Sequence, residues 1–261
     1  MPKTPCSPLA PAPADGKVPP RSAPAAETWK PRLRQARRVL VATDFDGTIS
    51  AIVPDPNAAV LLPGAADALA ALARHPRAAV AVVTGRSLAD LRARCPVPGV
   101  HLVGGHGNER AGAAAAAPDW TALAAEAKRQ AAAWTGTQVQ VKPWSLTLHY
   151  RRAPRFAAAV TAFAAAMARR QGLRLVPGAG IAELTPPTAQ TKGDAVLALR
   201  RELDCDLALY LGDQATDEDV FAAADAGLFG IHVGAGPTQA PLFLPDPEAA
   251  VCFLASLPRL L

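Results

Sequence analysis

The sequence is poor in the residues that build disulfide scaffolds and zinc-thiolate sites. It has 4 cysteines in 261 residues, and they are scattered without any Cys-x-x-Cys pair: Cys6, Cys95, Cys205 and Cys252. This spacing argues against a small disulfide framework and against a structural zinc site. We therefore expect reduced thiols, as in a cytoplasmic protein.

Long apolar runs are also missing. No stretch approaches the ~18 residues that are needed to span a bilayer, and the N-terminus lacks the continuous apolar segment of a signal peptide. We expect a soluble cytoplasmic protein without a membrane partner.

Aromatic residues are scarce, at 5%, although the net charge of +5 would suit an anionic ligand. Basic residues cluster before the first predicted strand, at Arg32, Arg34, Arg37 and Arg38. Nucleic-acid grooves combine basic side chains with aromatic rings that stack on bases, and no aromatic residue is interleaved here. We interpret the cluster as a solvated segment and expect no nucleic-acid partner. The alternative, a nucleic-acid binder, predicts strongly salt-dependent binding.

What the sequence does contain is a repeated alternation of strands and helices, with hydrophobic residues at 50%. Continuous apolar runs predict strands, and amphipathic segments between them predict helices. The predicted strands cover 38–43, 78–85, 100–105, 207–213 and 230–234, and the predicted helices cover 64–76, 87–94, 191–203 and 217–225. This pattern predicts an α/β fold with a parallel sheet covered on both faces.

The middle of the chain departs from this alternation. Residues 119–134 and 154–171 suit helices, and each is followed by two short strands. The order αββαββ predicts a mostly antiparallel layer. We therefore expect a Pro/Ala-rich disordered tail at 1–29, a Rossmann-like core domain at 30–110 and 187–261, and an inserted α+β cap domain at 111–186.

Acids, glycines and other polar residues follow four of the predicted strands. They are Asp44 and Asp46, then Thr84 to Arg86, then Gly104 to His106, and finally Gly212 and Asp213. Ligands of open parallel sheets bind at the carboxyl ends of the strands. Because side chains two apart lie on one side of an extended chain, Asp44 and Asp46 can face one ligand.

Three acids without a neighbouring His or Cys predict oxygen ligation of a hard cation, Mg²⁺. Lys192, at a predicted helix start, adds positive charge for an anion near the helix amides. A carboxylate nucleophile, a second carboxyl group, a metal and a lysine can together support phosphoryl transfer through an aspartyl-phosphate.

These residues resemble the motifs of haloacid-dehalogenase (HAD) phosphatases, in the same order. The matching pieces are DFDGT (44–48), Thr84, Lys192 and GDQATDED (212–219), and the resemblance covers nearly all of 38–261. It implies that Asp44 is the nucleophile and Asp46 the general acid/base. It also implies that Mg²⁺ is held by Asp44, the Asp46 carbonyl and Asp213, and that Thr84 and Lys192 hold the phosphoryl oxygens.

Further segments resemble the trehalose-6-phosphate phosphatases: TGR (84–86), GGHGNE (104–109), VKPWSLTLHYR (141–151) and AELTPPTAQTKGDAV (182–196). The resemblance implies trehalose 6-phosphate as the small-molecule substrate. Separately, we expect a monomer. The implied substrate-binding residues are Arg86, His106, Gly107, Lys142, Arg151 and Glu183. A sucrose-phosphate or mannosyl-3-phosphoglycerate phosphatase and a non-catalytic regulatory domain remain alternatives.

Several of these candidates have structural alternatives. Lys142, Arg151 and Glu183 would also suit an exposed sheet face, and His106 could be purely structural. The chain also departs from the family pattern at two positions. Gln214 stands where the family usually has Asp, which bears on the metal shell, and Thr185 stands where Arg is common, which bears on one sugar contact.

Overall fold

The computed structural model describes residues 10–11, 24–53, 55–110, 118–178, 180–223, 225 and 227–261. The chain divides into two compact units. The core unit comprises Met1–Ala111 and Thr191–Leu261, and the inserted unit comprises Gly112–Gln190. Among the described residues, none of the helices has the length and apolar character of a bilayer crossing.

Strands and helices are labelled in chain order through both units. The strands are β1 (Ala10–Pro11), β2 (Val39–Thr43), β3 (Ala78–Val83), β4 (Val100–Gly104), β5 (Glu109–Arg110), β6 (Gln138–Lys142), β7 (Ser145–His149), β8 (Arg174–Gly178), β9 (Ile181–Thr185), β10 (Leu207–Gly212), β11 (Leu228–Val233) and β12 (Leu242–Leu244). The helices are α1 (Pro24–Gln35), α2 (Ala65–Ala73), α3 (Leu88–Arg94), α4 (Thr121–Ala131), α5 (Ala157–Gln171), α6 (Lys192–Glu202), α7 (Glu218–Phe221) and α8 (Pro247–Ser256).

The core unit is built on one eight-stranded sheet in the order β1-β12-β11-β10-β2-β3-β4-β5. The neighbours from β12 to β4 run parallel, and β1 and β5 add antiparallel edges. The predicted α/β fold with a mainly parallel sheet is therefore confirmed. Because β2 and β10 lie side by side in the middle, the chain segments that follow them meet at one edge of the sheet.

Strand β2 shows why its sequence is an unbroken apolar run. Val39 and Val41 pack into a hydrophobic cluster with side chains of α1, α2 and α8. Leu40 and Ala42 face the other way, into a cluster with side chains of α6 and α7. Both faces of the strand are buried, as expected for a parallel sheet between two helical layers.

Helix α1 lies partly within the segment that we predicted to be a tail. Trp29, Leu33 and Ala36 recur on one face of the segment and are buried, and Trp29 packs edge-on against Phe253 at 5.7 Å between ring centroids. The prediction is therefore wrong for residues 24–29, where a short amphipathic pattern outweighs the Pro/Ala-rich composition. Residues 1–9 and 12–23 of that segment lie outside the described residues, and Ala10–Pro11 pair with β12.

The inserted unit has the predicted order αββαββ. Its strands form an antiparallel sheet in the order β6-β7-β9-β8. Leu146, Leu148 and Leu184 alternate along β7 and β9 and pack into one cluster with side chains of α4 and α5. The intervening residues of these strands are polar apart from Ile181, so the sheet has one apolar face, which packs against the helices, and one mainly polar face.

Candidate active site

Three carboxylates meet at the carboxyl ends of two adjacent strands. Asp44 follows β2, Asp213 follows β10, and Asp217 stands directly before α7. One oxygen atom of each lies within 4.8 Å of the others. The main-chain N–H of Asp44 donates to the carbonyl of Leu211, at 2.8 Å, which ties the two strand ends together.

Lys192 lies between two of these acids. It is the first residue of α6, whose start is fixed by a capping box formed by Thr191 and Asp194. Its Nζ atom is 2.8 Å from Asp44 Oδ2 and 2.8 Å from Asp217 Oδ1, and all three side chains are buried. The lysine that we predicted as a phosphoryl ligand therefore also forms ion pairs with two acids of the cluster.

Asp217 is the site residue that the sequence analysis missed. It is fully buried, and besides Lys192 it accepts hydrogen bonds from the Tyr210 hydroxyl at 2.5 Å and from the main-chain N–H groups of Asp213, at 3.0 Å, and Gln214, at 2.8 Å. A signal was present, because the hydroxyl of a tyrosine in a fully apolar strand needs a buried partner. Gln214, where the family usually has Asp, supports the cluster through its main chain.

Burial and mutual repulsion set the electrostatics of the cluster. Burial raises the pKa of Asp213 to about 8, and the charges of Asp44 and Asp217 add to this. Burial likewise raises the pKa of Asp44 to about 6, although the Lys192 ammonium opposes the shift. Three carboxylates share one lysine, so an excess of negative charge remains that a cation would neutralise. Oxygen donors from three carboxylates suit a hard divalent metal, and the cluster can therefore hold one.

Gly47 gives Asp213 the space that it occupies. The glycine has φ = 76°, in the left-handed region, and a Cβ atom built on it would lie 2.0 Å from Asp213 Oδ2. A larger residue at position 47 would therefore strain the backbone and also displace a carboxylate.

The Asp46 carboxylate is not one of the three clustered acids. The Arg86 guanidinium donates two hydrogen bonds to the Asp46 carboxylate, Nε to Oδ2 and Nη2 to Oδ1, each 2.7 Å long. The predicted metal ligand was the main-chain carbonyl of Asp46, and this prediction assigns no metal contact to the side chain that Arg86 holds.

Thr84 and His106 occupy the ends of the next two strands. Thr84 is buried after β3, and its carbonyl accepts a 2.9 Å hydrogen bond from the main-chain N–H of His106. The His106 ring packs over Gly85, where a Cβ would lie 2.4 Å from Cε1. His106 and Gly107 both have positive φ in the turn after β4. The structure thus brings Thr84, His106 and Gly107 to the same edge of the sheet as Asp44.

In the inserted unit, Glu183 is the centre of a polar cluster. Its Oε1 atom accepts hydrogen bonds from Ser145 Oγ at 2.6 Å, Thr147 Oγ1 at 3.0 Å and Lys142 Nζ at 3.3 Å. Glu183 is only 2% exposed, which excludes the alternative of an exposed sheet face for this residue. Arg151 lies exposed in the turn after β7.

The second departure from the family pattern lies on the same sheet. Thr185 stands opposite Arg174 in the pairing of β9 with β8. Arg174 Nε donates to Thr185 Oγ1 at 3.3 Å. A guanidinium is therefore present beside residue 185, although the neighbouring strand supplies it.

The mainly parallel core, the αββαββ insertion and the buried acids at the strand ends together define a HAD-type fold with a cap domain. Residues 42–248 match the family model described as trehalose-phosphatase. The match covers well over half of the chain, and the chain belongs to the trehalose-phosphatase family.

Individual relatives agree with this assignment. A trehalose-phosphate phosphatase of Mycobacterium tuberculosis is 38% identical over 202 residues, which are 71% of this chain and 51% of that protein. The solved Aspergillus fumigatus trehalose-6-phosphate phosphatase is 27% identical with a TM-score of 0.64, covering 89% of this chain and 97% of that one. The C-terminal domain of the Candida albicans enzyme shares the fold at 23% identity, with a TM-score of 0.77 over 95% of this chain and 100% of that one. The chain spans about half the length of the curated relatives that it matches.

Proposed function

We propose that this chain hydrolyses trehalose 6-phosphate to trehalose and phosphate, with Mg²⁺ as cofactor and the cytoplasm as its location. Membership of the trehalose-phosphatase family supports the substrate. The placement of Lys192 Nζ at 2.8 Å from Asp44 Oδ2, beside the further acids Asp213 and Asp217, supports the chemistry. A nucleophilic carboxylate needs adjacent positive charge to approach an anionic phosphate.

In the first step, a carboxylate oxygen of Asp44 attacks phosphorus, and the bond from phosphorus to the sugar oxygen breaks. The departing oxygen takes a proton from Asp46, which acts as general acid. Lys192 stabilises the charge that gathers on the phosphoryl oxygens, and Thr84 contributes a hydroxyl group. The products of this step are trehalose and an aspartyl-phosphate on Asp44.

In the second step, water replaces the sugar. Asp46, now ionised, takes a proton from the water molecule, whose oxygen attacks phosphorus, and the bond from phosphorus to Asp44 breaks. Phosphate leaves, and both acids return to their starting states. Asp46 thus serves as acid in the first step and as base in the second.

The metal would be held by Asp44 and Asp213, with the Asp46 carbonyl as a further ligand. When bound, Mg²⁺ supplies positive charge that offsets the repulsion between the carboxylates and the phosphoryl group. Asp217 fixes Lys192 and the main chain of residues 213–214.

For the sugar, the polar face of the inserted unit offers a preformed cluster. Lys142 and Glu183 supply a cation and a carboxylate, groups that hydrogen-bond strongly to hydroxyls. We propose that they contact trehalose, together with His106, Gly107 and Arg151. A site whose polar groups hydrogen-bond to the sugar hydroxyls can discriminate against esters that lack these hydroxyls.

The proposal is tested by phosphate release from a panel that contains trehalose 6-phosphate, sucrose 6-phosphate, mannosyl-3-phosphoglycerate and glucose 6-phosphate, with and without Mg²⁺. We expect the highest kcat/KM for trehalose 6-phosphate. Asp44→Asn should abolish turnover, whereas Asp67→Asn, on the exposed face of α2, should not. Faster turnover of another ester would overturn the substrate but not the chemistry, and an active Asp44→Asn variant would overturn the nucleophile.

A further inference from the structure

Arg86 was predicted to bind substrate, yet its guanidinium is almost fully used inside the core unit. It donates twice to Asp46, at 2.7 Å each, once to Asp90 Oδ2, at 2.6 Å, and once to the carbonyl of Pro56, at 2.9 Å. A guanidinium has five N–H donors, so these four bonds leave one. The side chain is 11% exposed and lies over the Phe45 ring, 5.4 Å from its centroid.

The partner of Arg86 is itself fixed. Asp90 lies in the first turn of α3, and its second oxygen, Oδ1, accepts a hydrogen bond from Arg94 Nε at 2.8 Å. Arg94 also donates to the carbonyls of Asn57, at 3.0 Å, and Ala59, at 2.6 Å. Asp90 and Arg94 are four residues apart in α3, so they lie on one side of the helix, and Arg86 lies two residues before its first residue.

Together these side chains form a chain of alternating charge, Asp46–Arg86–Asp90–Arg94, which we call the arginine ladder. Each member makes a charge-assisted bond to the next, and the Asp46–Arg86 step is bidentate, a geometry that fixes direction as well as distance. The main-chain carbonyls of residues 56, 57 and 59 anchor it to the loop before α2.

We propose that Arg86 is a positioning residue for the general acid/base, and that Asp90 and Arg94 hold it in place. This inference rests on the proposed function, because it takes Asp46 as the group that protonates the leaving oxygen. Proton transfer requires the carboxyl group to stay within hydrogen-bond reach of that oxygen. A bidentate guanidinium restricts the rotation of the Asp46 side chain, and it does so without touching the substrate.

Two esters separate this role from a substrate contact. The sugar oxygen of trehalose 6-phosphate needs a proton as it leaves, whereas the phenolate of p-nitrophenyl phosphate departs without one. We expect Arg86→Ala to lower kcat/KM for trehalose 6-phosphate by about 10²-fold, the low end of a positioned proton donor's contribution. The loss of kcat/KM on p-nitrophenyl phosphate should be much smaller, because kcat/KM does not include the second step, which both esters share. Equal losses of kcat/KM on both esters, or a raised KM with unchanged kcat, would overturn the proposal.

A double-mutant cycle gives an independent readout. If Arg86 acts only through Asp46, then Arg86→Ala should cause no further loss in an Asp46→Asn background. A further loss as large as in the wild type would instead show a separate role. Arg86→Lys, which keeps the charge but not the bidentate fork, should recover only part of the activity.

The outer members of the ladder can be tested with a matched control. Asp90→Asn and Arg94→Ala should reproduce the ester-selective loss in weaker form, and Arg92→Ala, exposed on the same helix, should have no effect. If the wild type prefers another sugar phosphate, that ester replaces trehalose 6-phosphate in these assays. Such a result would overturn the proposed substrate but not the proposed role of Arg86. A wild type that hydrolyses neither kind of ester would overturn both proposals.

Discussion

Gly47 and Asp213 approach each other so closely that no side chain fits between them. A Cβ on Gly47 would lie 2.0 Å from Asp213 Oδ2, and Thr48 Oγ1, from the next residue, is 3.4 Å from Asp213 Oδ1. The turn after β2 thus packs directly against the end of β10, and the absence of a side chain at Gly47 leaves the space that the Asp213 carboxylate occupies.

We therefore expect Gly47→Ala to lower kcat/KM by about 10²-fold, the effect of displacing a reacting group by roughly 1 Å. Gly64→Ala is the matched control, because Gly64 also has φ near +80°, at 83°, but its added Cβ meets only Val251 Cγ1 at 3.8 Å. Both variants should lose about 1 kcal/mol of stability from the strained backbone. If Gly64→Ala loses as much activity as Gly47→Ala, backbone strain and not the carboxylate is responsible.

Asp217 gives a second prediction, on stability. Its carboxylate accepts hydrogen bonds from Lys192 and Tyr210 in a fully buried position. Asp217→Asn leaves the buried ammonium with one anionic partner instead of two, so we expect a loss of about 3 kcal/mol in the free energy of unfolding. Tyr210→Phe removes only one hydrogen bond to the same carboxylate and should cost less, about 1.5 kcal/mol. Urea titrations measure both, and an Asp217→Asn variant as stable as the wild type would contradict the assignment.

The sequence was sufficient to predict most of the core unit. The runs at β2, β3 and β10 are apolar on both faces, so their strand character and burial follow from composition alone. The C-terminal β12 and α8 were not predicted, and the helix predicted at 217–225 is limited to Glu218–Phe221. Strand β12 and helix α7 have three and four residues, too few to show a periodicity. Helix α8 has ten residues but is mostly apolar, so it shows little contrast between an apolar and a polar face.

For the site, sequence order located the strand ends but not the side-chain directions. Asp44 and Asp213 meet because β2 and β10 are neighbours in the sheet. The sequence pattern placed both acids at strand ends but did not give the strand order. The Asp46–Arg86 contact joins the turn after β2 to the segment before α3, a pairing that strand alternation alone does not give. Asp217 was missed because its role appears only once Lys192 and Tyr210 are seen around it.

Metal binding should depend on pH in a defined direction. The pKa values of Asp44, about 6, and Asp213, about 8, lie above that of an ordinary carboxyl group, so the metal-free folded state holds protons that the unfolded state has released. The stability of the metal-free protein therefore falls as the pH rises through a window that extends from the ordinary carboxyl pKa of 3.8 to about 8. Because a divalent cation favours the ionised carboxylates, Mg²⁺ should raise Tm more above this window than below it.

Thermal unfolding with and without Mg²⁺, on both sides of the window, measures this effect. At a concentration about 100-fold above Kd the stabilisation is about 2.7 kcal/mol. Asp213→Asn should remove most of the difference between the two pH values, and Asp67→Asn should leave it unchanged. A Mg²⁺ effect that is largest at acidic pH would contradict the cluster as the metal site.

Glu183 allows the substrate-recognition role of the inserted unit to be tested apart from the chemistry. Three donors, from Lys142, Ser145 and Thr147, converge on its Oε1 atom, so Glu183→Gln replaces a charged acceptor with a neutral amide. Losing one hydrogen bond to a charged group is worth about 1.5 to 3 kcal/mol, or roughly 10- to 100-fold in kcat/KM. We expect this loss for trehalose 6-phosphate but not for p-nitrophenyl phosphate, which has no sugar hydroxyls.

The matched control is Glu126→Gln, in the exposed Glu126–Arg170 ion pair of the same unit, which should change neither ester. Ser145→Ala should give a smaller loss than Glu183→Gln with the same selectivity, because it leaves the carboxylate in place with the Lys142 and Thr147 donors. If Glu183→Gln slows both esters equally, Glu183 supports the fold of the inserted unit and does not read the sugar, and the hydroxyl-recognition role would pass to other residues.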